Sequence, residues 1–194
     1  MAPEMKQYED LLANVRHDGR FHSIRDLIRP DDTYVKEVAD ILLQAPDFIE
    51  ASQDFVAEFA DYTEEIGDYW SYPIETLAFK SGDCDCLAIL LCSILRNGLP
   101  ADRVFCGIGT WEKRSEETGH MWVTVVDLHG HDRIVESTAP SYRRTGGIYR
   151  LSAFFNDEYT WSTPRGLKEF GLMPFEEVID TLAAAGAIRV PAGG

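Results

Sequence analysis

The sequence predicts a single α+β domain, residues 1–194, in which helices precede a buried central helix and an antiparallel sheet. Two observations lead to this prediction: apolar positions recur at helical spacing through the first half, and β-branched or aromatic runs of strand length follow in the second half. Helices grouped apart from an antiparallel sheet are typical of the α+β class. The length suits one domain, and no Gly/Ser-rich or Pro-rich stretch is long enough to be a linker.

The composition predicts a folded, acidic protein. Hydrophobic residues make up 45% of the chain and charged residues 26%, which is ordinary for a globular protein and excludes a disordered chain. There are 18 Lys and Arg against 33 Asp and Glu, for a formal net charge of −15. Because such a surface repels phosphate groups and anionic lipids, we expect it to bind neither nucleic acid nor membranes. The basic cluster of Arg16, Arg20, Arg25 and Arg29 is expected to pair with nearby acids.

The N-terminus and the cysteines predict a cytoplasmic location. The first residues lack a basic segment followed by an apolar core, so they do not resemble a secretory signal. The longest apolar run, residues 86–92, is far shorter than the roughly 20 residues that span a bilayer. Four cysteines without a signal are typical of free thiols in a reducing compartment. The sequence does not indicate an oligomeric state.

The first half of the chain is predicted to be helical. Apolar spacing predicts a helix from Tyr8 to Val15, and the polar residues at 31–33 are candidate N-caps for a second helix that ends near Gln44. A third helix is predicted from Pro46 to about Gly67. Its acidic face either binds a cation or a basic partner or is simply solvated, and we favour the solvated face.

The run from Leu87 to Leu95 is predicted to form the central helix, because it is apolar on nearly all sides and must therefore be buried. Residues 82–84 are predicted to open this helix, with Cys84 at or near its N-terminus. The aromatic segment 68–73 precedes this helix as a loop. Asn97 and Gly98 are predicted to end the helix, with Gly98 in the left-handed conformation, and Pro100 prevents the helix from resuming.

The second half is predicted to form the sheet. Short β-branched or aromatic segments indicate strands at residues 104–111, 121–126 and 133–136, and residues 127–132 indicate a hairpin turn. The aromatic segment 151–161 is predicted either to pack on the core or to form a wall of a substrate site. A final helix is predicted from about Pro174 to Ala185.

Three residues on these elements form a candidate catalytic site. Cys84 lies at the N-terminus of the central helix, where the helix dipole and the free N–H groups favour a thiolate with a lowered pKa and an oxyanion. His120 starts a predicted strand 36 residues later, and Glu136 ends the next strand after 16 more. A hairpin places two such side chains side by side. A thiol, a base and a carboxylate in this order predict nucleophilic catalysis.

These motifs together resemble the transglutaminase-like cysteine peptidase superfamily, and within it the bacterial transglutaminase-like cysteine proteinases. The resemblance covers roughly residues 45–140 and rests on four segments of the sequence: 68–77 (DYWSYPIETL), 82–88 (GDCDCLA), 119–123 (GHMWV) and 135–138 (VEST). It implies a papain-like superfamily fold in which a nucleophile helix packs on an antiparallel sheet. It also implies that Cys84 is the nucleophile, His120 the general base and Glu136 the third member of a triad.

The activity implied by the resemblance is that of a peptidase or amidase that cleaves a polypeptide or amide substrate through a thioester, with no required cofactor. Transglutaminase-type acyl transfer is the alternative outcome of the same triad. Three features depart from the family. The third member is Glu where Asp is usual, Cys86 stands where Asp is common, and the export signal of the periplasmic members is missing. Cys86 either packs or alters reactivity, and we favour packing.

The resemblance also implies two further features of the site. Members of the bacterial branch bind calcium through acids that flank the nucleophile, and in this sequence those acids are Asp83 and Asp85. Two carboxylates are a small share of the 6–8 oxygens that Ca²⁺ prefers, and we favour Asp83 as the N-cap of the helix. The Trp70 indole N–H or the Tyr69 hydroxyl is the candidate oxyanion donor, beside the Cys84 backbone N–H.

Two other classes of function compete with the hydrolase. A zinc site would use Cys84, Cys86, Cys92, Cys106, His129 and His131, but their spacing does not match zinc fingers or ribbons. Cys92 is expected in the core, and the two histidines are expected on an exposed turn. A non-catalytic interaction module of the same fold is the second competitor, and competent residues at all three triad positions favour catalysis.

Overall fold

The computed structural model of the protein describes residues 16, 22–64, 69–143 and 145–162. The helices predicted from Tyr8 to Val15 and from Pro174 to Ala185 lie outside these residues. Within the described part, four helices precede or flank the sheet strands: α1 (Thr33–Leu42), α2 (Phe48–Phe59), α3 (Pro73–Phe79) and α4 (Cys84–Leu95). The strands are β1 (Asp61–Tyr62), β2 (Ser81–Gly82), β3 (Val104–Lys113), β4 (Glu116–Val126), β5 (Asp132–Val135), β6 (Ile148–Phe155) and β7 (Thr160–Ser162). Each of these helices is too short or too polar to cross a lipid bilayer.

Helix α4 is the centre of the core, as the sequence predicts. Every residue from Asp85 to Leu95 is buried. Helices α1, α2 and α3 pack on one side of α4, and strands β3 and β4 cover the other. Because each fully buried aliphatic side chain contributes about 1.5–3 kcal/mol, this helix is the largest single source of hydrophobic stabilisation in the fold.

Five antiparallel strands form the sheet, in the order β5-β4-β3-β6-β7. In β3 and β4, Ile108 pairs with Met121 and Gly109 pairs with His120. Successive side chains of a strand point to opposite faces. Met121 belongs to the core that contains α4, so His120 lies on the other face of the strand.

The third predicted helix is shorter than the sequence indicates. Helix α2 ends at Phe59, and Asp61–Tyr62 instead form β1, which pairs in parallel with β2. The Asp61 N–H donates to the Lys80 carbonyl at 2.9 Å, and the Thr63 N–H donates to the Gly82 carbonyl at 3.0 Å. The prediction of a helix to Gly67 is therefore wrong, because pairing with a distant segment outweighs the local helical pattern.

Two other local predictions are also wrong. Gly98 is not in the left-handed conformation. A Cβ there would lie 2.5 Å from the Phe48 ring, so the glycine serves a close approach between α4 and α2. Strand β4 begins at Glu116, earlier than predicted, because Arg114 and Ser115 form a tight turn with φ of 54° and 69°. His120 consequently lies inside a strand and not at its start.

The aromatic segment 151–161 forms β6 and β7, and its side chains pack on both faces of the sheet. Phe155 is fully buried and stacks on Trp70, with 6.4 Å between ring centroids. On the other face, Trp161 contacts Phe105 and Phe154. The sequence left open whether this segment packs on the core or forms a wall of a substrate site. Phe155 packs on the core.

The Asn156 side chain closes the turn between β6 and β7. Its amide nitrogen donates to the carbonyls of Ala101 and Val104, and its oxygen accepts the N–H groups of Glu158 and Tyr159. Because the residue is fully buried, its loss leaves these backbone groups without partners.

Replacing Asn156 by alanine should lower the free energy of unfolding by about 2–4 kcal/mol. Urea unfolding followed by circular dichroism measures the change. The matched control is Gln44→Ala on the exposed end of α1, whose amide contacts only the Asp40 carbonyl; it should change stability by less than about 0.5 kcal/mol. Equal effects of the two variants would contradict this account of the turn.

Candidate active site

Cys84 is the first residue of α4 and lies against strand β4. The backbone N–H of Met121 donates a hydrogen bond to the Cys84 sulfur. Strand β3 covers one edge of β4, and β5 pairs with β4 only from Val123 onward. The thiol therefore lies at the open edge of β4, beside the segment that carries His120. Within the described part of the chain, no hydrogen bond joins the Cys84 sulfur to the imidazole.

The thiol is not acidified in the way that the sequence predicts. Burial and, to a smaller extent, the carboxylates of Asp85 and Asp83 raise the pKa of Cys84 to about 12, while a hydrogen bond from the Met121 N–H acts in the opposite direction. The expectation of a lowered pKa is therefore wrong for the protein in this state, because burial and two adjacent carboxylates oppose the helix N-terminus. The resting thiol is neutral and needs a base to accept its proton.

The structure brings His120 and Glu136 together. The His120 Nε2 lies 2.9 Å from the Glu136 Oε2, and both side chains are buried. β4 and β5 form a hairpin, and Glu136 directly follows β5. Because Nε2 is occupied by the carboxylate, Nδ1 is the ring nitrogen left for a nucleophile.

Four donors converge on the Glu136 carboxylate. Oε1 accepts the backbone N–H of Thr138 at 3.1 Å and its hydroxyl at 2.8 Å. Oε2 accepts the Tyr149 hydroxyl at 2.8 Å in addition to the imidazole. Burial acts to raise the pKa of Glu136, but the hydrogen bonds and charge of His120 and the donors of Thr138 outweigh it, and the pKa is lowered. The carboxylate is thus ionised at neutral pH.

Helix α2 holds the segment that carries Glu136. Its Gln53 amide donates to the carbonyls of Glu136 and Ala139 at 3.1 Å and 2.9 Å. Its Asp54 accepts the N–H of Ser141. Part of the acidic face that the sequence assigns to solvent therefore binds the protein's own backbone.

Aromatic rings surround the His120 imidazole on its face of the sheet. Trp111 stacks on it at 5.2 Å between centroids, and Trp122 and Tyr149 lie at 6.2 Å and 6.1 Å. The Trp111 indole N–H donates to the Gly146 carbonyl at 2.9 Å. This packing restricts the rotation of the imidazole.

The two side chains predicted as oxyanion donors have other contacts. The Tyr69 hydroxyl donates to Glu75 at 3.3 Å, and Trp70 is buried against Phe155. The Arg16 guanidinium binds Glu75 at 2.7 Å and the Trp70 carbonyl at 2.8 Å. The sequence alone does not reveal these partners, since Glu75 and Phe155 lie on other elements.

The basic cluster of the N-terminal region pairs with acids only in part. Arg16 forms the ion pair with Glu75, which is distant in sequence. The described hydrogen bonds of Arg25 and Arg29 run instead to the backbone carbonyls of Glu158 and Asp26. Arg20 lies outside the described residues.

Asp83, Asp85 and Cys86 bring one ligand atom each within 4.8 Å of one another. Asp83 is the N-cap residue of α4, but its side chain makes no capping hydrogen bond, and its Oδ1 is buried without a hydrogen-bond partner. The prediction that the Asp83 side chain caps the helix is therefore wrong. The Cys86 sulfur contacts the Ser71 N–H and the Tyr69 carbonyl, both at 3.4 Å, as expected for a packed thiol.

The other residues considered for zinc do not converge in the described structure. Cys92 and Cys106 are fully buried between α4 and the sheet, as predicted for Cys92. His129 and His131 lie on the exposed turn between β4 and β5, also as predicted.

Three residues near the site escape the sequence analysis. Tyr149 binds Glu136 from β6, and nothing in its local sequence signals this contact. Tyr62 pairs with Gly82 on β1; burial and the nearby charges of Cys84 and Asp83 raise the pKa of its hydroxyl to about 12. Thr138 had a detectable signal, because a side chain that accepts the N–H two residues later is a common local turn.

Solved structures with a similar fold come from Legionella pneumophila LapG, a transglutaminase-like cysteine protease. Its calcium-bound form matches with a TM-score of 0.51 at 18% identity, over 93% of this chain and 99% of LapG. Its EGTA-treated form matches with a TM-score of 0.53 at 18% identity, over 95% of this chain and 96% of LapG. The chain has a transglutaminase-like fold.

This likeness concerns the fold, since an identity of 18% does not carry activity from one protein to the other. The sequence matches no protein-family model. The search of curated proteins likewise gave no match. The predicted α+β class, with a buried helix packed on an antiparallel sheet, is confirmed.

Glu136→Gln should reduce stability in a pH-dependent way. A carboxylate with a lowered pKa stabilises the fold above its unfolded pKa of about 4.3, and this contribution is lost as the pH falls through the folded pKa. We expect the variant to be less stable by about 2 kcal/mol at pH 7, with the difference shrinking below about pH 4. Urea unfolding at pH 7, 5, 4 and 3 measures this, with the exposed Glu117→Gln as control. A difference that does not vary with pH would contradict the ionised, hydrogen-bonded carboxylate.

Proposed function

We propose that this protein is a cysteine hydrolase, a peptidase or amidase, in which Cys84 is the nucleophile, His120 the base and Glu136 the residue that orients the base. The observation that carries the proposal is the buried pair of His120 and Glu136, whose side-chain atoms lie 2.9 Å apart. His120 belongs to β4, the strand against which the Cys84 thiol lies. A carboxylate-bound imidazole beside a thiol is the arrangement that nucleophilic catalysis requires.

In the proposed mechanism, the neutral thiol gives its proton to His120 as the sulfur attacks a substrate carbonyl carbon. Nδ1 accepts this proton, while Nε2–H stays bonded to the Glu136 carboxylate, which stabilises the imidazolium. The imidazolium then protonates the leaving amine, and a thioester joins the acyl group to Cys84. Water activated by His120 hydrolyses the thioester and restores the thiol.

The tetrahedral intermediate carries an oxyanion that needs hydrogen-bond donors. The first N–H groups of α4 have no intrahelical acceptor, and the Cys84 N–H is the proposed donor. Among side chains, Tyr62 suits this role better than Tyr69 or Trp70, because its hydroxyl has no hydrogen bond within the described residues and lies near Cys84.

The proposed substrate is a polypeptide, which the likeness to a cysteine protease supports. The net charge of −15 favours a basic or neutral one. Transfer of the acyl group to an amine, as in transglutaminases, is the second candidate because the triad serves both acceptors. A single domain and a cytoplasmic location stay predictions of the sequence.

Calcium is a proposed ligand of the Asp83–Asp85 pair, since LapG structures include a calcium-bound form. The fit is partial. Two carboxylates, one with a buried and unpartnered oxygen, are hard donors that Ca²⁺ prefers, whereas the adjacent Cys86 sulfur is a soft donor. A cation bound there would supply positive charge beside the thiol.

Site-resolved alkylation of the four thiols by iodoacetamide, read by peptide mass spectrometry, tests the proposed pair. We expect Cys84 to react fastest at pH 7 and His120→Ala to slow it by at least about tenfold, since the base is lost. Cys84→Ala and His120→Ala should each abolish turnover of a fluorogenic peptide library. Glu136→Gln should lose less of this activity. The matched control is Cys92→Ala, which should keep it.

Three outcomes decide between the candidates. Peptide hydrolysis supports the hydrolase, and incorporation of a dansylated amine into the peptide supports acyl transfer. If Cys84 reacts no faster than free cysteine and His120→Ala has no effect, the catalytic proposal is wrong and a non-catalytic interaction module is left.

Isothermal titration with CaCl₂ tests the metal site. We expect heat of binding from the native protein and at least about tenfold weaker binding for Asp83→Asn and Asp85→Asn, because each removes a charged oxygen ligand. The control is Glu64→Gln on the neighbouring segment. Absence of binding at millimolar calcium would contradict the proposed calcium site.

A further inference from the structure

The Tyr149 hydroxyl reaches the proposed triad from a different part of the sheet. It donates to the Glu136 Oε2 at 2.8 Å, the same oxygen that binds the His120 Nε2 at 2.9 Å. Tyr149 belongs to β6, which is separated from β4 by β3. The other oxygen of the carboxylate is already bound by Thr138. The contact with Tyr149 therefore acts on the very oxygen that faces the imidazole.

The ring of Tyr149 is held in place on several sides. It stacks on Trp111 at 5.9 Å with an interplanar angle of 20°, and meets Trp122 edge-on at 5.1 Å and 68°. Its hydroxyl also lies 3.3 Å from the Thr145 hydroxyl. A tyrosine packed in this way presents its O–H in one direction, which fixes the position of the oxygen that it binds.

We propose that Tyr149 is a positioning residue of the catalytic site, which acts on His120 through Glu136. The inference rests on the proposed triad. The hydroxyl holds Oε2 where the Nε2–H of His120 meets it, so that Nδ1 is turned toward the open edge of β4 where Cys84 lies.

The hydroxyl also sets how strongly the carboxylate attracts the proton of the imidazole. Two donors share the electron density of Oε2, so each weakens the attraction that the other feels. The groups that face the imidazole are the Glu136 carboxylate, Tyr149 of β6, Trp111 of β3 and Trp122 of β4, with the Cys84 thiol at the strand edge. Without the Tyr149 hydroxyl, the full charge of Oε2 acts on His120. The imidazolium is then held more strongly by the carboxylate.

The test is Tyr149→Phe, followed by two-dimensional NMR of the ¹⁵N-labelled histidine rings as a function of pH. We expect the titration midpoint of His120 to rise by about half a pH unit or more. The matched control, Tyr142→Phe, removes an exposed hydroxyl that contacts Glu58 at 3.3 Å and should leave His120 unchanged.

A second measurement keeps the inference falsifiable if Tyr149→Phe does not fold. In the native sequence, labelling with 3-fluorotyrosine makes the hydroxyl a stronger donor, and the midpoint of His120 should move to lower pH. A His120 titration that is identical in native, Tyr149→Phe and fluorotyrosine-labelled protein overturns the inference.

The rate of Cys84 alkylation at pH 7 separates this inference from the proposed function. If Tyr149→Phe shifts the His120 titration and also slows alkylation severalfold, both stand. If the titration shifts but Cys84 alkylation is independent of His120 in the native protein, the proposed function fails while the link between Tyr149 and His120 stands. If alkylation depends on His120 but Tyr149→Phe changes neither measurement, only the role of Tyr149 fails.

Discussion

The burial of α4 is the constraint on which the rest of the structure depends. A helix that is apolar on every side is stable only when it is covered on every side, and here three helices and two strands provide the cover. Its N-terminus is the point at which the chain leaves the core. Cys84 is therefore held half-buried at a fixed place beside β4, where the Met121 N–H donates a hydrogen bond to its sulfur.

The electrostatics of the site follow from the same burial. Of the carboxylates near the thiol, Glu136 receives four donors, whereas Asp83 keeps a buried oxygen without a partner. The fold thus stabilises one negative charge next to the imidazole and leaves another uncompensated beside the sulfur. Burial of the sulfur raises the pKa of Cys84, and the charges of Asp85 and Asp83 add to this effect. The unpartnered Asp83 oxygen supports the proposal that a cation binds Asp83 and Asp85.

Much of the fold was predictable because its signals are local. The nearly all-apolar run 87–95 indicated a buried helix, and the Asp32 side chain caps α1 as its position suggested. The adjacency of His120 and Glu136 followed from a hairpin turn of recognisable composition. The predicted end of α2 failed, because the parallel pairing of Tyr62 with Gly82 joins residues that are far apart in the sequence.

By itself, the sequence determined the α+β class and the buried helix with a cysteine at its start. It also determined that a histidine on one strand lies beside a glutamate at the end of the next. Periodicity, turn composition and residue order carry this information, because each depends on a few consecutive residues. The tertiary structure alone decided that Tyr149 binds Glu136, that α2 holds the segment after β5, and that burial raises the pKa of Cys84. These properties depend on which distant groups share a small volume, and on how completely that volume excludes water.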